Sequence, residues 1–164
     1  VEAVIPNHLE PLTQKLQEAG ADVEVFESSV RVRSNGTLQA VDIETLPFPG
    51  FPTDMQAQMM SLLTVVNGES RGKETIFENR FMHAHELMRM GAKIKLDGHH
   101  AIITGVESLS GAEVKITDLR AGAALILAGL VANGETQVYG LHHLERGYEN
   151  LADKLTAIGA TIYA

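Results

Sequence analysis

One ten-residue phrase occurs three times in this chain at nearly even spacing. It reads Leu16-Gln-Glu-Ala-Gly20-Ala-Asp-Val-Glu-Val25, then Leu87-Met-Arg-Met-Gly91-Ala-Lys-Ile-Lys-Leu96, then Leu155-Thr-Ala-Ile-Gly159-Ala-Thr-Ile-Tyr-Ala164. The glycines lie 91 − 20 = 71 and 159 − 91 = 68 residues apart. A fixed period constrains architecture more than any local signal, because each copy must be one supersecondary unit. Each phrase has the form of a helix end, a Gly where the chain needs positive φ, and an alternating strand.

The second and third units align over most of their length. Thr53-Asp54-Met55-Gln56-Ala57 matches Thr117-Asp118-Leu119-Arg120-Ala121, and Asn67-Gly68-Glu69-Ser70 matches Asn133-Gly134-Glu135-Thr136. Thr or Asp before an apolar run is an N-cap signal, and Asn-Gly after it is a C-cap signal, so helices are predicted from Met55 to Val66 and from Leu119 to Ala132. β-rich stretches follow at Lys73–Phe77 and Thr136–Tyr139. A second helix then runs into the Gly-Ala phrase. Two further strands are expected at Ala101–Thr104 and Glu113–Ile116, with counterparts at Val30–Arg33 and Ala40–Ile43.

The repeating unit is therefore strand, helix, strand, helix, strand, strand. The fold class is α/β (α+β) with pseudo-threefold repetition of a βαβαββ unit. In this register residues 1–43 form a partial unit, about 44–116 a full one and 113–164 a second partial one. Unit one lacks its first strand and helix, its Pro6–Ala19 segment already being a second helix. Unit three lacks its last two strands. Open α/β repeats need covered sheet edges. With no starting Met, the expectation is a piece of a longer polypeptide.

Net charge is −8, from 13 basic and 21 acidic residues. Such a surface repels polyanions and argues against general nucleic-acid binding. No apolar run reaches the roughly 18 residues of a membrane helix, so no membrane partner is expected. No signal peptide is evident at Val1–Pro6. With no Cys, the chain holds neither disulfides nor thiolate chemistry.

Four segments hold candidate chemistry. Asp54 follows Phe48-Pro49-Gly50-Phe51-Pro52-Thr53, whose prolines fix an extended, turning approach to a helix N-terminus. It either caps that helix or is a carboxylate placed to bind a hydroxyl and take its proton. Arg120, in the first turn of an apolar helix, opposes the helix dipole. It either pairs with Asp118 or, with the helix N-terminus, binds phosphate or carboxylate. Arg80 and Arg146 occupy corresponding loop-to-helix junctions, and Gly147 would let a ligand approach the backbone closely. The histidines (His83 and His85, His99 and His100, His142 and His143) lack the i, i+4 spacing of a helical zinc pair, so no metal is expected. Neither a P-loop nor a Ser-His-Asp pattern is present. Met55, Met59 and Met60 read as core.

Five ordered strings carry a family resemblance: Phe51-Pro-Thr-Asp-Met-Gln-Ala-Gln58, Thr75-Ile-Phe-Glu-Asn-Arg-Phe-Met-His83, Leu87-x-x-Met-Gly-Ala92, Thr117-Asp-Leu-Arg-Ala121 and Arg146-Gly-Tyr-Glu149. Over nearly the whole chain they resemble the UDP-N-acetylglucosamine 1-carboxyvinyltransferases, the enolpyruvyl transferases that begin peptidoglycan synthesis in the cytoplasm. The resemblance implies an inside-out α/β barrel of three βαβαββ units, here most of one domain, with a second catalytic domain outside this chain. It implies UDP-N-acetylglucosamine and phosphoenolpyruvate as partners, no cofactor, and an addition–elimination reaction releasing phosphate. Asp54 matches the family's candidate base at the sugar 3′-hydroxyl, and Ile76 a position binding the nucleotide sugar through its backbone. Arg120 and Arg146 match positions facing phosphoenolpyruvate. Arg80 and Asp118 match residues near the cleft, and Phe77 lines the nucleotide site. The shikimate-pathway enolpyruvyl transferase shares fold and chemistry, but the Asp54 and Arg80 strings point to the sugar-nucleotide enzyme. A non-catalytic repeat module, with its arginines in structural ion pairs, is the alternative of another class. On its own the chain is expected to be inactive.

Overall fold

The computed structural model describes residues 1–163. The element order is α1 (Glu10–Glu18), β1 (Asp22–Val25), β2 (Val30–Arg33), β3 (Ile43–Glu44), α2 (Gln56–Leu63), β4 (Glu69–Lys73), α3 (Met82–Arg89), β5 (Lys93–Asp97), β6 (His100–Thr104), β7 (Glu113–Lys115), α4 (Leu119–Val131), β8 (Gln137–Tyr139) and α5 (Leu151–Ala157). Short 3-10 turns at Pro6–Leu9, Thr53–Met55 and Leu141–His143 lead into or follow these elements.

The three Gly-Ala phrases end their helices with one hydrogen-bond pattern. Ala21, Ala92 and Ala160 donate their N–H to the carbonyls of Leu16, Leu87 and Leu155 at 2.9, 3.0 and 3.0 Å. Gly20, Gly91 and Gly159 donate to Gln17, Met88 and Thr156, with φ of +98°, +94° and +106°. This paired closure is the Schellman motif, and it requires a left-handed residue at the glycine.

The middle unit carries a complete four-stranded sheet in the order β3-β4-β6-β5. β3 and β4 are parallel, with α2 as the crossover between them, while β4–β6 and β5–β6 are antiparallel. The flanking units each contribute one pair, the antiparallel β1–β2 and the parallel β7–β8. Glu113–Lys115 therefore belongs to the third unit's sheet, and Ile43 to the second's. Each joins the strand beyond its own crossover helix rather than the hairpin before it. The joints between units also repeat: Gln39 donates to the Ala19 carbonyl at 2.9 Å, and Ser110 to that of Met90 at 2.8 Å.

Three expected strands differ. Of Ala40–Ile43 only Ile43 is strand, at the start of β3. β4 ends at Lys73, so Glu74–Phe77 is a turn instead of a continuing strand. The Glu74 carboxylate captures the amides of Ile76 and Phe77, withdrawing them from any ladder. After Gly159, residues 160–163 take no strand conformation, because nothing among the described residues pairs with them as β6 pairs with β5. Ala164, the last residue of that phrase, lies outside the described residues.

The core forms where α2 and α4 cross. Along α2 every residue from Gln56 to Ser61 is buried, as is Leu63, so this helix has no solvent face. On α4, Ala121, Gly122, Ala123, Ala124 and Ala128 are buried. These small side chains let the backbones approach, and Ser61 Oγ donates to the Ala124 carbonyl at 2.8 Å. Met59, Met60, Leu63, Leu87, Met90, Ile103, Leu109, Val114 and Leu125 complete the core. Met59 and Met60 are thus core residues, while Met55 is only partly buried against them. No helix among the described residues is long and apolar enough to cross a membrane.

Candidate active site

Asp54 and Asp118 hold the same place in two repeats but do different work. Asp118 is the N-cap of α4: its Oδ1 accepts from the N–H groups of Arg120 at 2.9 Å and Ala121 at 3.1 Å. It thereby satisfies two of the orphan donors at the helix start. Asp54 caps nothing. It sits inside the 3-10 turn Thr53–Met55, and neither that turn nor α2 has a side-chain cap. Its side chain is 63% exposed, and Oδ1 is held by Arg120 Nε and lies 3.7 Å from an Arg80 guanidinium nitrogen.

The cation in the first turn of α4 is thus balanced by an anion from another repeat. Arg120 and Asp54 stand 66 positions apart in sequence, so the Asp118–Arg120 side-chain pair considered from sequence does not form. The Asp118 carboxylate is committed to the backbone, leaving the Arg120 side chain to reach across to α2. Packing of α2 against α4 makes that reach short.

Arg80 completes the cluster. Its guanidinium carbon lies 3.9 Å from the Phe77 ring centroid, a cation–π contact that restrains an otherwise flexible side chain. Phe77 is itself 47% exposed. Ile76 is half-buried, and its N–H is spent on Glu74 Oε1 at 2.8 Å. Its carbonyl accepts no hydrogen bond among the described residues.

The Pro-rich approach to Asp54 is a closed turn. Gly50 donates to the Pro47 carbonyl at 2.8 Å, and Leu46 to that of Phe51 at 3.0 Å. A Cβ on Gly50 would stand 2.4 Å from Leu46 Cβ, so this position accepts no side chain. Phe51 is buried and anchors the turn in the core.

Arg146 is placed differently. It is exposed and takes part in no ion pair among the described residues. Its loop is nevertheless fixed beside the start of α4. A Cβ on Gly147 would fall 2.9 Å from Leu119 Cδ2, and the Tyr148 hydroxyl receives Gln58 Nε2 at 3.4 Å. The guanidinium pair gathered around Asp54 is therefore Arg120 with Arg80, and Arg146 makes no ion pair with it. No group of three or more His, Cys, Asp or Glu side chains among the described residues could hold a metal ion.

Beneath the cluster, His83 is buried in the first turn of α3, and its Nε2 has no hydrogen-bond partner among the described residues. Loss of solvation pushes its pKa down from 6.5 to about 4, opposed in part by the Asp118 charge and a backbone hydrogen bond at Arg80. Sequence reading missed Glu74, which was placed within a strand. Its signal lay in the repeat alignment, where Gly140 holds the corresponding place after β8.

The model of the EPSP synthase (3-phosphoshikimate 1-carboxyvinyltransferase) family matches residues 1–155, and the chain belongs to that family. Among curated relatives, UDP-N-acetylglucosamine 1-carboxyvinyltransferase 2 of Carboxydothermus hydrogenoformans is 60% identical over 164 residues, covering 99% of this chain and 39% of that protein. The UDP-N-acetylglucosamine 1-carboxyvinyltransferase of Desulfofundulus thermocisternus is 57% identical over 163 residues, covering 99% of this chain and 67% of its own length. The chain thus spans about 40% of the first of these relatives and two thirds of the second. The enolpyruvyl transferase NikO from Streptomyces tendae superposes with a TM-score of 0.86 at 30% identity, over 94% of this chain and 36% of that one. EPSP synthase from Acinetobacter baumannii shares the fold, with a TM-score of 0.66 at 19% identity over 94% of this chain and 37% of its own.

Proposed function

We propose that this chain is part of one domain of a two-domain enolpyruvyl transferase. The complete enzyme moves the enolpyruvyl group of phosphoenolpyruvate onto the 3′-hydroxyl of UDP-N-acetylglucosamine and releases phosphate. It acts in the cytoplasm at the first committed step of peptidoglycan synthesis, and so serves cell shape and division. The second domain supplies the opposite wall of the site, and this chain alone does not turn over.

In this scheme Asp54 accepts the proton of the sugar hydroxyl as that oxygen attacks C2 of the enolpyruvyl group. A proton adds to C3, giving a tetrahedral intermediate; loss of phosphate from C2 and of a proton from C3 restores the double bond. Arg120 and Arg146 bear the carboxylate and phosphate charge of phosphoenolpyruvate at the N-terminus of α4. Arg80, steadied on Phe77, adds positive charge beside Asp54. The Ile76 carbonyl is the backbone group left to bind the sugar, its N–H being occupied.

The observation that carries this reading is the contrast between the two repeat aspartates. Asp118 is consumed as a cap, whereas Asp54 is exposed, uncapping and flanked by two guanidiniums. Relatives at 55–60% identity that bear the carboxyvinyltransferase name supply the substrate class. The test is phosphate release by the complete enzyme carrying Asp54→Asn. Loss of a positioned base lowers turnover by roughly 10²–10⁴-fold, while nucleotide-sugar binding stays within a few-fold of wild type. Turnover near that of wild type would remove Asp54 from the mechanism.

A further inference from the structure

Glu74 is a buried carboxylate to which the scheme above gives no task. It is 1% exposed, and four donors converge on it. Oε1 accepts from Thr45 Oγ1 at 2.8 Å, from the Ile76 N–H at 2.8 Å and from the Phe77 N–H at 3.1 Å. Oε2 accepts from Thr53 Oγ1 at 2.9 Å. Thr45 is itself fully buried and receives the Thr75 N–H at 2.9 Å. One side chain thus ties together the end of β3, the turn bearing Asp54 and the Ile76–Phe77 turn.

The repeat supplies an internal control. Thr45 donates its N–H to the Lys73 carbonyl at 2.9 Å, and Ile116 donates to that of Tyr139 at 2.8 Å. These are the same joint in units two and three. Glu74 follows Lys73 as Gly140 follows Tyr139. Where unit two buries a threonine and a carboxylate, unit three buries Ile116 beside a glycine at φ +87°. A Cβ at Gly140 would meet the Ile116 carbonyl oxygen at 2.8 Å. The scaffold therefore closes this joint without any carboxylate. Burying one costs free energy unless every acceptor site is used, so its presence in unit two calls for a reason beyond folding. The asymmetry falls in the unit whose aspartate is left uncapping and exposed.

We propose that Glu74 is a positioning residue, which fixes the Thr53–Asp54 turn against the Ile76–Phe77 turn so that the Asp54 carboxylate and the Ile76 carbonyl face one acceptor sugar at a set separation. This rests on the function proposed above. Glu74 hydrogen-bonds neither Arg120 nor Arg80, so its loss acts directly on the acceptor side of the site and reaches the anion side only at second hand, through Asp54 and Phe77.

The experiment uses the complete enzyme with Glu74→Gln and, separately, Thr53→Val. Replacing the carboxylate by an amide weakens the acceptor shared by three donors and sets an N–H₂ group against Thr53. The KM for UDP-N-acetylglucosamine rises about tenfold and that for phosphoenolpyruvate changes by less than about twofold. Amide exchange at Ile76 and Phe77 quickens about tenfold. A purely structural role would lower the active fraction and leave both KM values alone. Thr53→Val keeps Glu74 and removes one donor, so it lowers kcat about threefold or more. It decides the matter if the glutamine variant does not fold. Unchanged KM values in Glu74→Gln, whatever the exchange rates, or wild-type kinetics in Thr53→Val, would overturn the inference. If wild-type enzyme releases no phosphate, the proposed function fails by itself, and unchanged amide exchange at Ile76 and Phe77 in Glu74→Gln would still show that Glu74 does not fix that turn.

Discussion

His83 makes the stability of this protein depend on pH in a definite window. Its imidazole is buried, carries an Nε2 without a hydrogen-bond partner among the described residues, and has its pKa lowered from 6.5 to about 4 by desolvation. Between those values the unfolded chain holds a proton at His83 that the folded chain does not. Stability therefore rises with pH through the window and falls as pH drops from 6.5 toward 4. The drop from 6.5 to about 4 corresponds to a limiting loss on the order of 3 kcal/mol below pH 4. At pH 5 the same linkage gives about 2 kcal/mol, and at pH 7 almost none. Urea unfolding of the complete protein at both pH values, with His83→Gln beside wild type, measures the difference. Other groups titrate in both proteins and cancel in the comparison. Wild type should lose about 2 kcal/mol more than the variant between pH 7 and pH 5. Equal losses would show that His83 gains a proton in the folded state as readily as in the unfolded one, and the burial argument would fail.

Two further outcomes separate structural from chemical roles. Asp118→Ala removes the cap of α4 and should cost about 1 kcal/mol, whereas Asp54→Ala, which caps nothing, should cost clearly less; equal costs in thermal unfolding would contradict the division of labour between the two aspartates. Arg120→Ala breaks an ion pair whose aspartate is 63% exposed and so should cost less than about 1 kcal/mol of stability. The same change should lower turnover of the complete enzyme about 10²-fold or more through lost stabilisation of anionic charge; a large stability loss with near-normal turnover would make Arg120 a structural residue.

The legible parts of this fold were those decided within a few residues. Each Leu-x-x-x-Gly-Ala phrase closes its helix through hydrogen bonds spanning six residues, so the motif was readable three times over. Of Met55, Met59 and Met60, which read as core from a helically spaced run, Met59 and Met60 are core and Met55 is only partly buried. The strand of Lys73–Phe77 was misread because a β-rich composition does not show that a side chain, Glu74, takes the amides a ladder would use. The partner of Glu113–Lys115 was likewise hidden, since pairing across a crossover helix depends on a strand more than twenty residues onward. At the site, the sequence marked Asp54, Arg80 and Arg120 as candidates and left each with a structural alternative.

The repeat, the helix ends, the apolar runs and the family were determined by the chain alone, because each is a matter of residue type at short or fixed spacing. Which of two equivalent aspartates is spent on a helix, which guanidiniums meet the other, and how one buried carboxylate joins the end of β3 to two turns were decided only by tertiary packing. Those choices turn on a few ångströms between residues as much as 66 positions apart, a separation that local spacing does not encode.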